Sequence, residues 1–209
     1  MKNERLKIER LSRGERRQKI LDAAIKLFAK KGFSGTRTRE VAEMARISEA
    51  LIFQFFSSKE ELFKATLEEL YRPHTVVHAI EEKMEGEDDY SNFKDFALDM
   101  IRHYRKNPRI VRLSIFGALE YPKLVEMYHG GRETTQSGEK LLAKYIQQRI
   151  DKGIFKKVKA EVAAQLFLDS IDFYIINQEL FKAKTKTSVS DEEVVDTFVR
   201  IYLDGLRKK

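Results

Sequence analysis

Residues 36–62 read TRTREVAEMARISEALIFQFFSSKEEL, and this stretch decides the fold. Its apolar residues recur at helical spacing in two short runs, 38–45 and 49–55, with three residues between them. Ser48 stands at the start of the second run, where its hydroxyl can accept a backbone N–H of the first helical turn. The pattern therefore predicts two short helices joined by a tight turn.

Three phenylalanines, Phe53, Phe55 and Phe56, crowd the end of the second run. A helical register separates them, because Phe56 falls on one side with Ile47 and Ile52 and is expected to be buried. The opposite side faces outward and carries Phe and Leu beside Gln, which suits base edges and thymine methyl groups in a DNA major groove. Packing of this side against another protein domain is the alternative. The outward residues are Glu49, Ala50, Leu51, Phe53 and Gln54.

The flanking sequence completes a helix-turn-helix layout. A helix is predicted over 15–31, with Gly32 as its C-terminal stop, and Thr36 and Thr38 are candidate caps for the helix that follows. A fourth, longer helix begins after Ser57 or Ser58 and ends or bends at Pro73. Three short helices followed by a longer one, with the motif at about 37–56, are typical of a DNA-binding three-helix unit.

The rest of the chain is also predicted to be helical, which gives an all-α protein of about nine helices. We expect a helix-turn-helix domain at 14–74 and a second helical domain at 75–209. No strand alternation is evident, and Gly130 with Gly131 interrupts one long segment. The helices expected in the second domain cover about 91–106, 109–119, 121–152, 159–182 and 191–207, the last of them capped by Ser190.

Charge is distributed unevenly along the 209 residues. The net charge is +7, and residues 1–72 account for +6 of it. Residues 1–19 alone carry eight basic and three acidic side chains. This asymmetry favours a polyanionic partner for the N-terminal region, although a solvated basic terminus is the alternative. If the segment contacts phosphates, deletion of residues 1–13 should weaken binding and flatten its salt dependence.

Composition argues against several classes of protein. The chain has no cysteine, four histidines and no Gly-rich phosphate loop, so we expect neither an enzyme nor a cofactor nor a Cys-ligated metal. No run of about 18 apolar residues and no secretory signal pattern are present, which predicts a cytoplasmic protein. His74 and His78 lie four residues apart with Glu81 and Glu82 beyond them, a spacing that can bind a metal, but a solvated face or pocket lining is the default interpretation.

Residues 27–62, LFAKKGFSGTRTREVAEMARISEALIFQFFSSKEEL, resemble the DNA-binding domain of the tetracycline-repressor (TetR) family of transcriptional regulators. The resemblance is free of gaps over about 14–74, and beyond it extends only to the number and lengths of the helices. It implies a homodimer that binds double-stranded DNA at a palindromic operator, with recognition helices about 34–36 Å apart. It further implies repression relieved by a small apolar ligand, with activation left open. A helical adaptor without operator specificity is the rival interpretation.

The resemblance also implies which residues contact DNA. The departures from the family pattern are Arg46 in place of the turn glycine, the acidic Glu49, and Phe53 and Phe55 where Tyr or His is common. Each phenylalanine lacks a polar group that could bond a phosphate, a loss of about 1 kcal/mol. The expected DNA-binding residues are Arg37, Thr38, Arg39, Ser48, Glu49, Ala50, Leu51, Phe53, Gln54, Phe55 and Lys59.

For the second domain, the resemblance implies ligand sensing and dimerisation. Coupling would run through the fourth helix, with Pro73 as a hinge. The last two helices carry more apolar residues than a monomer needs, and the expected interface residues are Val162, Leu166, Ser170, Phe198 and Tyr202. Ordinary core is the alternative for every residue of the expected pocket. Those pocket residues are Phe96, Met100, Tyr104, Phe116, Tyr128, Phe167, Phe173 and Tyr174.

Overall fold

A computed structural model describes residues 12–71, 88–122, 138–181 and 189–208. In these ranges the chain forms nine α-helices, and its only β-type pairing is an isolated bridge between Phe155 and Arg207. The all-α fold is therefore confirmed. The helices are α1 (Arg13–Lys31), α2 (Thr38–Ala45), α3 (Glu49–Phe55), α4 (Lys59–Tyr71), α5 (Asp89–Lys106), α6 (Arg109–Glu120), α7 (Gly138–Asp151), α8 (Ala160–Glu179) and α9 (Asp191–Leu206).

The helices separate into two units. The N-terminal unit holds α1 to α4 and the part of α6 that begins at Leu113. The C-terminal unit holds α5, the start of α6 as far as Arg112, and α7 to α9. The sequence suggested a single division near residue 74 and did not indicate that α6 contributes residues to both units.

Local side-chain bonds set most helix starts. Ser12 caps α1 in a reciprocal arrangement, since its hydroxyl accepts the Glu15 N–H at 3.2 Å while the Glu15 carboxylate accepts the Ser12 N–H at 2.6 Å. The helix consequently starts two residues earlier than predicted. Ser48 and Ser190 cap α3 and α9 as predicted, and Ser58 caps α4.

The predicted caps of α2 were wrong. Neither Thr36 nor Thr38 caps this helix, whose N-cap residue is Arg37. Thr36 is buried and donates its hydroxyl to the Gly32 carbonyl at 2.8 Å, which ties down the loop after α1. The N–H of Arg37 is satisfied instead by the Glu40 carboxylate at 3.1 Å.

Aromatic rings form the core of the N-terminal unit. Phe28 of α1 and Phe63 of α4 are fully buried, with ring centroids 5.0 Å apart in an edge-to-face arrangement. Phe33 packs on Phe63 at 5.3 Å and on Tyr121, which follows α6, at 4.6 Å. This cluster holds α1 and α4 together and fixes the base on which α2 and α3 rest.

Phe167 of α8 lies at the centre of the C-terminal unit. Its ring centroid is 5.0 Å from Phe93 on α5 and 5.1 Å from Phe198 on α9. A second, polar anchor joins α5 to α7, where the buried Asp89 faces Arg149 at 2.7 Å and accepts the Tyr145 hydroxyl at 2.7 Å. Removing either partner would leave a buried charge uncompensated, so such a substitution should cost several kcal/mol.

No helix within the described residues is long and apolar enough to cross a bilayer. Several sequence-based expectations fall outside those residues. They are the hinge at Pro73, the metal possibility at His74 and His78, the pocket residue Tyr128, the interruption at Gly130 and Gly131, and the basic residues before Ser12.

Candidate nucleic-acid interface

The turn between α2 and α3 is a Schellman motif built on an arginine. The Ile47 N–H donates to the Ala42 carbonyl at 3.0 Å, and the Arg46 N–H donates to the Glu43 carbonyl at 3.2 Å. This pattern needs a left-handed residue, and Arg46 takes it with φ 56° and ψ 49°. Arg46 therefore adopts the strained conformation that glycine usually fills, at a cost of about 1–2 kcal/mol.

The two sides of α3 differ in burial as the register predicts. Ile52 and the C-cap Phe56 are buried beneath the helix, 1% and 2% exposed. On the outer side Phe53 is 47% exposed, a large apolar ring left in solvent beside the exposed Gln54. Ser48 and Ala50 are also exposed, while Glu49, Leu51 and Phe55 are half-buried. The helix thus presents a mixed apolar and amide surface.

Glu49 is not a free carboxylate. The hydroxyl of Thr38, at the start of α2, donates a short hydrogen bond to the Glu49 Oε1 atom. The pair ties the first residues of α2 and α3 together. Both residues are candidate DNA contacts. DNA would therefore bind them either with their hydrogen bond intact or after that bond has broken.

The basic residues of this face differ in their partners. Arg37 is exposed, and Arg39 forms an exposed ion pair with Glu43 at 3.1 Å. An exposed pair of this kind contributes less than about 1 kcal/mol, so Arg39 can exchange it readily for a phosphate. Lys59 begins α4, with its ammonium 4.2 Å from the centroid of the Phe33 ring. All three predicted cations can therefore reach a polyanion.

Two further arginines lie over the end of α3. The guanidinium carbon of Arg13 is 5.7 Å from the Phe55 ring centroid, and that of Arg17 is 5.5 Å from the Phe56 ring centroid. Sequence reasoning identified the basic segment but neither residue. Their i, i+4 spacing was visible in the sequence, whereas the contact depends on how α1 packs against α3.

The residues predicted to line a ligand pocket do not form one group. Phe96 and Phe167 are buried with ring centroids 6.2 Å apart, and Met100, Tyr104 and Tyr174 are half-buried. Tyr174 donates its hydroxyl to Asp191 at 2.7 Å, and burial, followed by that bond, raises the Tyr174 pKa to about 12.

Two predicted pocket residues lie elsewhere. Phe116 belongs to the N-terminal unit, where it lies close to Gly32. Phe173 is 62% exposed on the outer side of α8. Periodicity identified both as apolar helix positions but could not show which surface each one faces.

The residues predicted for a subunit interface lie on α8 and α9. Val162 and Leu166 are 49% and 59% exposed, and Ser170 is exposed on the same side of α8. Phe198 and Tyr202 are half-buried, with the Tyr202 hydroxyl donating to the Ala163 carbonyl at 2.7 Å.

Between α8 and α9 lies an open apolar groove of about 600 Å³. Its lining residues are Val158, Lys159, Val162, Ala163, Leu166, Ile201, Tyr202, Gly205 and Leu206.

Two family models match the chain. Residues 20–66, which include α2 and α3, match the model described as bacterial regulatory proteins, tetR family. Residues 95–205, just over half of the chain, match the model described as AefR-like transcriptional repressor, C-terminal domain.

Similar proteins extend over nearly the whole chain. The uncharacterized HTH-type transcriptional regulator YvkB of Bacillus subtilis (strain 168) is 27% identical over 190 residues, 90% of this chain and 96% of the relative. The HTH-type transcriptional repressor NicS of Pseudomonas putida is 24% identical over 197 residues, 92% of each chain. Among solved structures, the fatty acid degradation regulator FadR from Bacillus halodurans gives a TM-score of 0.69 at 18% identity, covering 92% of this chain and 96% of that one.

Proposed function

The chain belongs to the TetR family of bacterial transcriptional regulators and is a DNA-binding regulator, and on that premise we propose that it is a repressor released from a palindromic operator by a small apolar ligand. The outer face of α3 carries the proposal, because Phe53 is 47% exposed beside an exposed Gln54. A major groove offers thymine methyl groups to the Phe53 ring and base edges to the Gln54 amide.

In the proposed complex, α3 is the recognition helix. Phe53 contacts thymine methyl groups and Gln54 bonds a base edge. The expected phosphate contacts come from Arg37, Arg39 and Lys59. Phosphate contacts position the protein, whereas base contacts specify the sequence. Loss of a phosphate contact should therefore weaken binding to all DNA sequences, and loss of a base contact should weaken binding mainly to the operator.

Gln54→Ala tests the assignment of α3. The measurement is the fluorescence anisotropy of a duplex enriched from a random library by the unaltered protein, compared with a shuffled duplex. Removing a base contact should weaken binding to the enriched duplex by about 1–3 kcal/mol and leave the shuffled duplex nearly unchanged. Gln18→Ala is the matched control, because Gln18 is an exposed glutamine of α1 that bonds Asp22 at 3.1 Å. Equal effects of the two substitutions would contradict the role given to α3.

A homodimer supplies the symmetry that a palindromic operator requires. The apolar groove between α8 and α9, with Leu166 59% exposed, supports a second copy of the chain as its occupant. The exposed Phe173 fits this interface better than a ligand pocket. A DNA partner also favours the cytoplasm as the place where the protein acts.

Ligand release is supported by the apolar face that Phe96, Met100 and Tyr104 form at i, i+4 and i+8 on α5. A library of small apolar compounds can be scored by release of the labelled duplex. An active compound should lose its effect in Met100→Lys, a substitution in the C-terminal unit that is expected to leave affinity for DNA unchanged. A compound that releases the variant equally well would act outside the proposed pocket.

A further inference from the structure

Two guanidinium groups lie side by side over the C-terminal end of the recognition helix. Arg13 and Arg17 are one helical turn apart on α1, and each lies over a ring, 5.7 Å from the Phe55 centroid and 5.5 Å from the Phe56 centroid. Phe55 is the last residue of α3 and Phe56 is its C-cap. Phe55 is half-buried beside the outer face, so the exposed Arg13 lies at the edge of the surface that the proposed function presents to DNA, and the half-buried Arg17 follows one turn further along α1.

Neither arginine has an ion-pair partner among the described residues, whereas Lys31 and Arg39 pair with Glu40 and Glu43. The one carboxylate in the first turn of α1, Glu15, is held in the capping box, where hydrogen bonds from Ser12 lower its pKa. A cation in the first turn of a helix opposes the helix dipole, so Arg13 does not serve the stability of α1.

A purely structural role explains only part of this arrangement. A cation near the C-terminus of α3 is favourable, and the contact with a ring adds to it. The same contact recurs where Lys59 lies 4.2 Å from the centre of the Phe33 ring. A guanidinium over a ring keeps N–H groups that can donate, and neither guanidinium donates a hydrogen bond to another described residue.

We propose that Arg13 and Arg17 are phosphate contacts of the DNA complex, each oriented by the phenylalanine beneath it. The planar N–H fork of arginine matches two oxygens of a backbone phosphate. A ring that already restricts the side chain reduces the entropy lost when the phosphate binds. In this assignment Phe55 contributes to binding although it has no polar group, because it positions Arg13. The proposal rests on the proposed function, since it requires α3 to lie in the groove.

The first test compares three arginines of one helix. Arg13→Ala, Arg17→Ala and Arg16→Ala each remove one positive charge, but Arg16 makes no ring contact among the described residues. Titration of the enriched duplex at several salt concentrations should show roughly 5–20-fold weaker binding for Arg13→Ala and Arg17→Ala. The slope of log K against log salt should fall by about 0.9 for each phosphate that the variant no longer neutralises. Arg16→Ala should change affinity by less than about twofold. Equally weakened binding at all three positions would overturn the proposal, because only overall charge would matter.

The second test examines the ring. Phe55→Leu keeps an apolar side chain but removes the π face. As a single substitution it should weaken DNA binding severalfold. Added to Arg13→Ala, it should weaken DNA binding no further. Independent, additive effects would contradict positioning by Phe55. Circular dichroism checks that each variant is folded. If the unaltered protein enriches no duplex, the proposed function fails. If the unaltered protein binds the enriched duplex, but Arg13→Ala and Arg16→Ala bind it with equal affinity, only this inference fails.

Discussion

Replacing Gly32 with alanine should destabilise the N-terminal unit. Gly32 closes α1 with φ 74° and ψ 178°, a conformation that is essentially restricted to glycine. A Cβ atom there would lie 2.3 Å from a Glu120 carboxylate oxygen and 3.1 Å from the Phe116 ring. That carboxylate accepts the Ser34 N–H at 2.6 Å, so the substitution would also displace a bond that fastens α6 to the loop after α1.

The expected cost combines three terms. Backbone strain contributes about 1–3 kcal/mol. Loss of the bond from Ser34 to Glu120 contributes about 1–2 kcal/mol, at the low end for a charged acceptor because the site is exposed. The reduced freedom of alanine in the unfolded chain offsets about 0.4–1 kcal/mol. The net loss should be about 1–4.5 kcal/mol, which at its upper end is a large fraction of the stability of an ordinary domain.

Chemical denaturation followed by far-UV circular dichroism measures this loss as a lower midpoint with an unchanged slope. Gly14→Ala is the control, because its new Cβ would meet nothing closer than Ser12 Oγ at 4.0 Å. That substitution should be neutral or stabilise the helix by up to about 1 kcal/mol. In a Glu120→Ala background the carboxylate and its bond from Ser34 are both absent, so Gly32→Ala should cost less, namely the backbone strain and the 3.1 Å approach to the Phe116 ring. The reasoning is refuted if Gly32→Ala behaves like Gly14→Ala.

Three other substitutions test separate parts of the account. Arg46→Gly should stabilise the protein by about 0.5–1 kcal/mol because it relieves the left-handed strain, whereas Arg46→Ala should not; both are read from the thermal midpoint. Burial, with Asp169 nearby, raises the pKa of Asp172 to about 6. Between about pH 4 and 6 the folded protein therefore binds more protons at this group than the unfolded chain does. The contribution of Asp172 to stability consequently falls as the pH rises through this range. Asp172→Asn should therefore stabilise by about 1–3 kcal/mol at pH 7.5 and lose that gain below about pH 4; a gain independent of pH would contradict the cause given. Leu166→Glu should raise the dimer dissociation constant roughly 100-fold or more in sedimentation experiments, because it would bury an unpaired charge at the interface. Leu119→Glu, at a leucine that is 76% exposed in the N-terminal unit, should leave the dimer intact, and an undisturbed dimer in Leu166→Glu would place the interface elsewhere.

The features that could be predicted from sequence are those that depend on near neighbours in the chain. Ser48 and Ser190 were identified as caps because a cap bonds a backbone group three residues away. The capping box of Ser12 and Glu15 was equally local and could have been found from its S-x-x-E spacing. The failure at Thr36 has a different origin, because its hydroxyl bonds the Gly32 carbonyl through a loop whose path the sequence does not specify.

Tertiary packing decided the rest of the candidate site. The register placed Phe56 inside and Phe53 outside, which matches their burial. It could not show that Arg13 lies over Phe55, since that contact joins residues more than forty positions apart. Periodicity likewise marked Phe173 as an apolar position on its helix without revealing that the ring is exposed.

Sequencing the duplexes that the unaltered protein enriches from a random library tests the central claim most directly. A dimer with α3 in successive major grooves predicts a twofold-symmetric consensus whose half-site centres lie about 34–36 Å apart, one turn of DNA. It also predicts affinity at moderate salt that is at least about 10³-fold above that for shuffled DNA. The absence of enrichment, or an affinity no higher than that for shuffled DNA, would contradict the account.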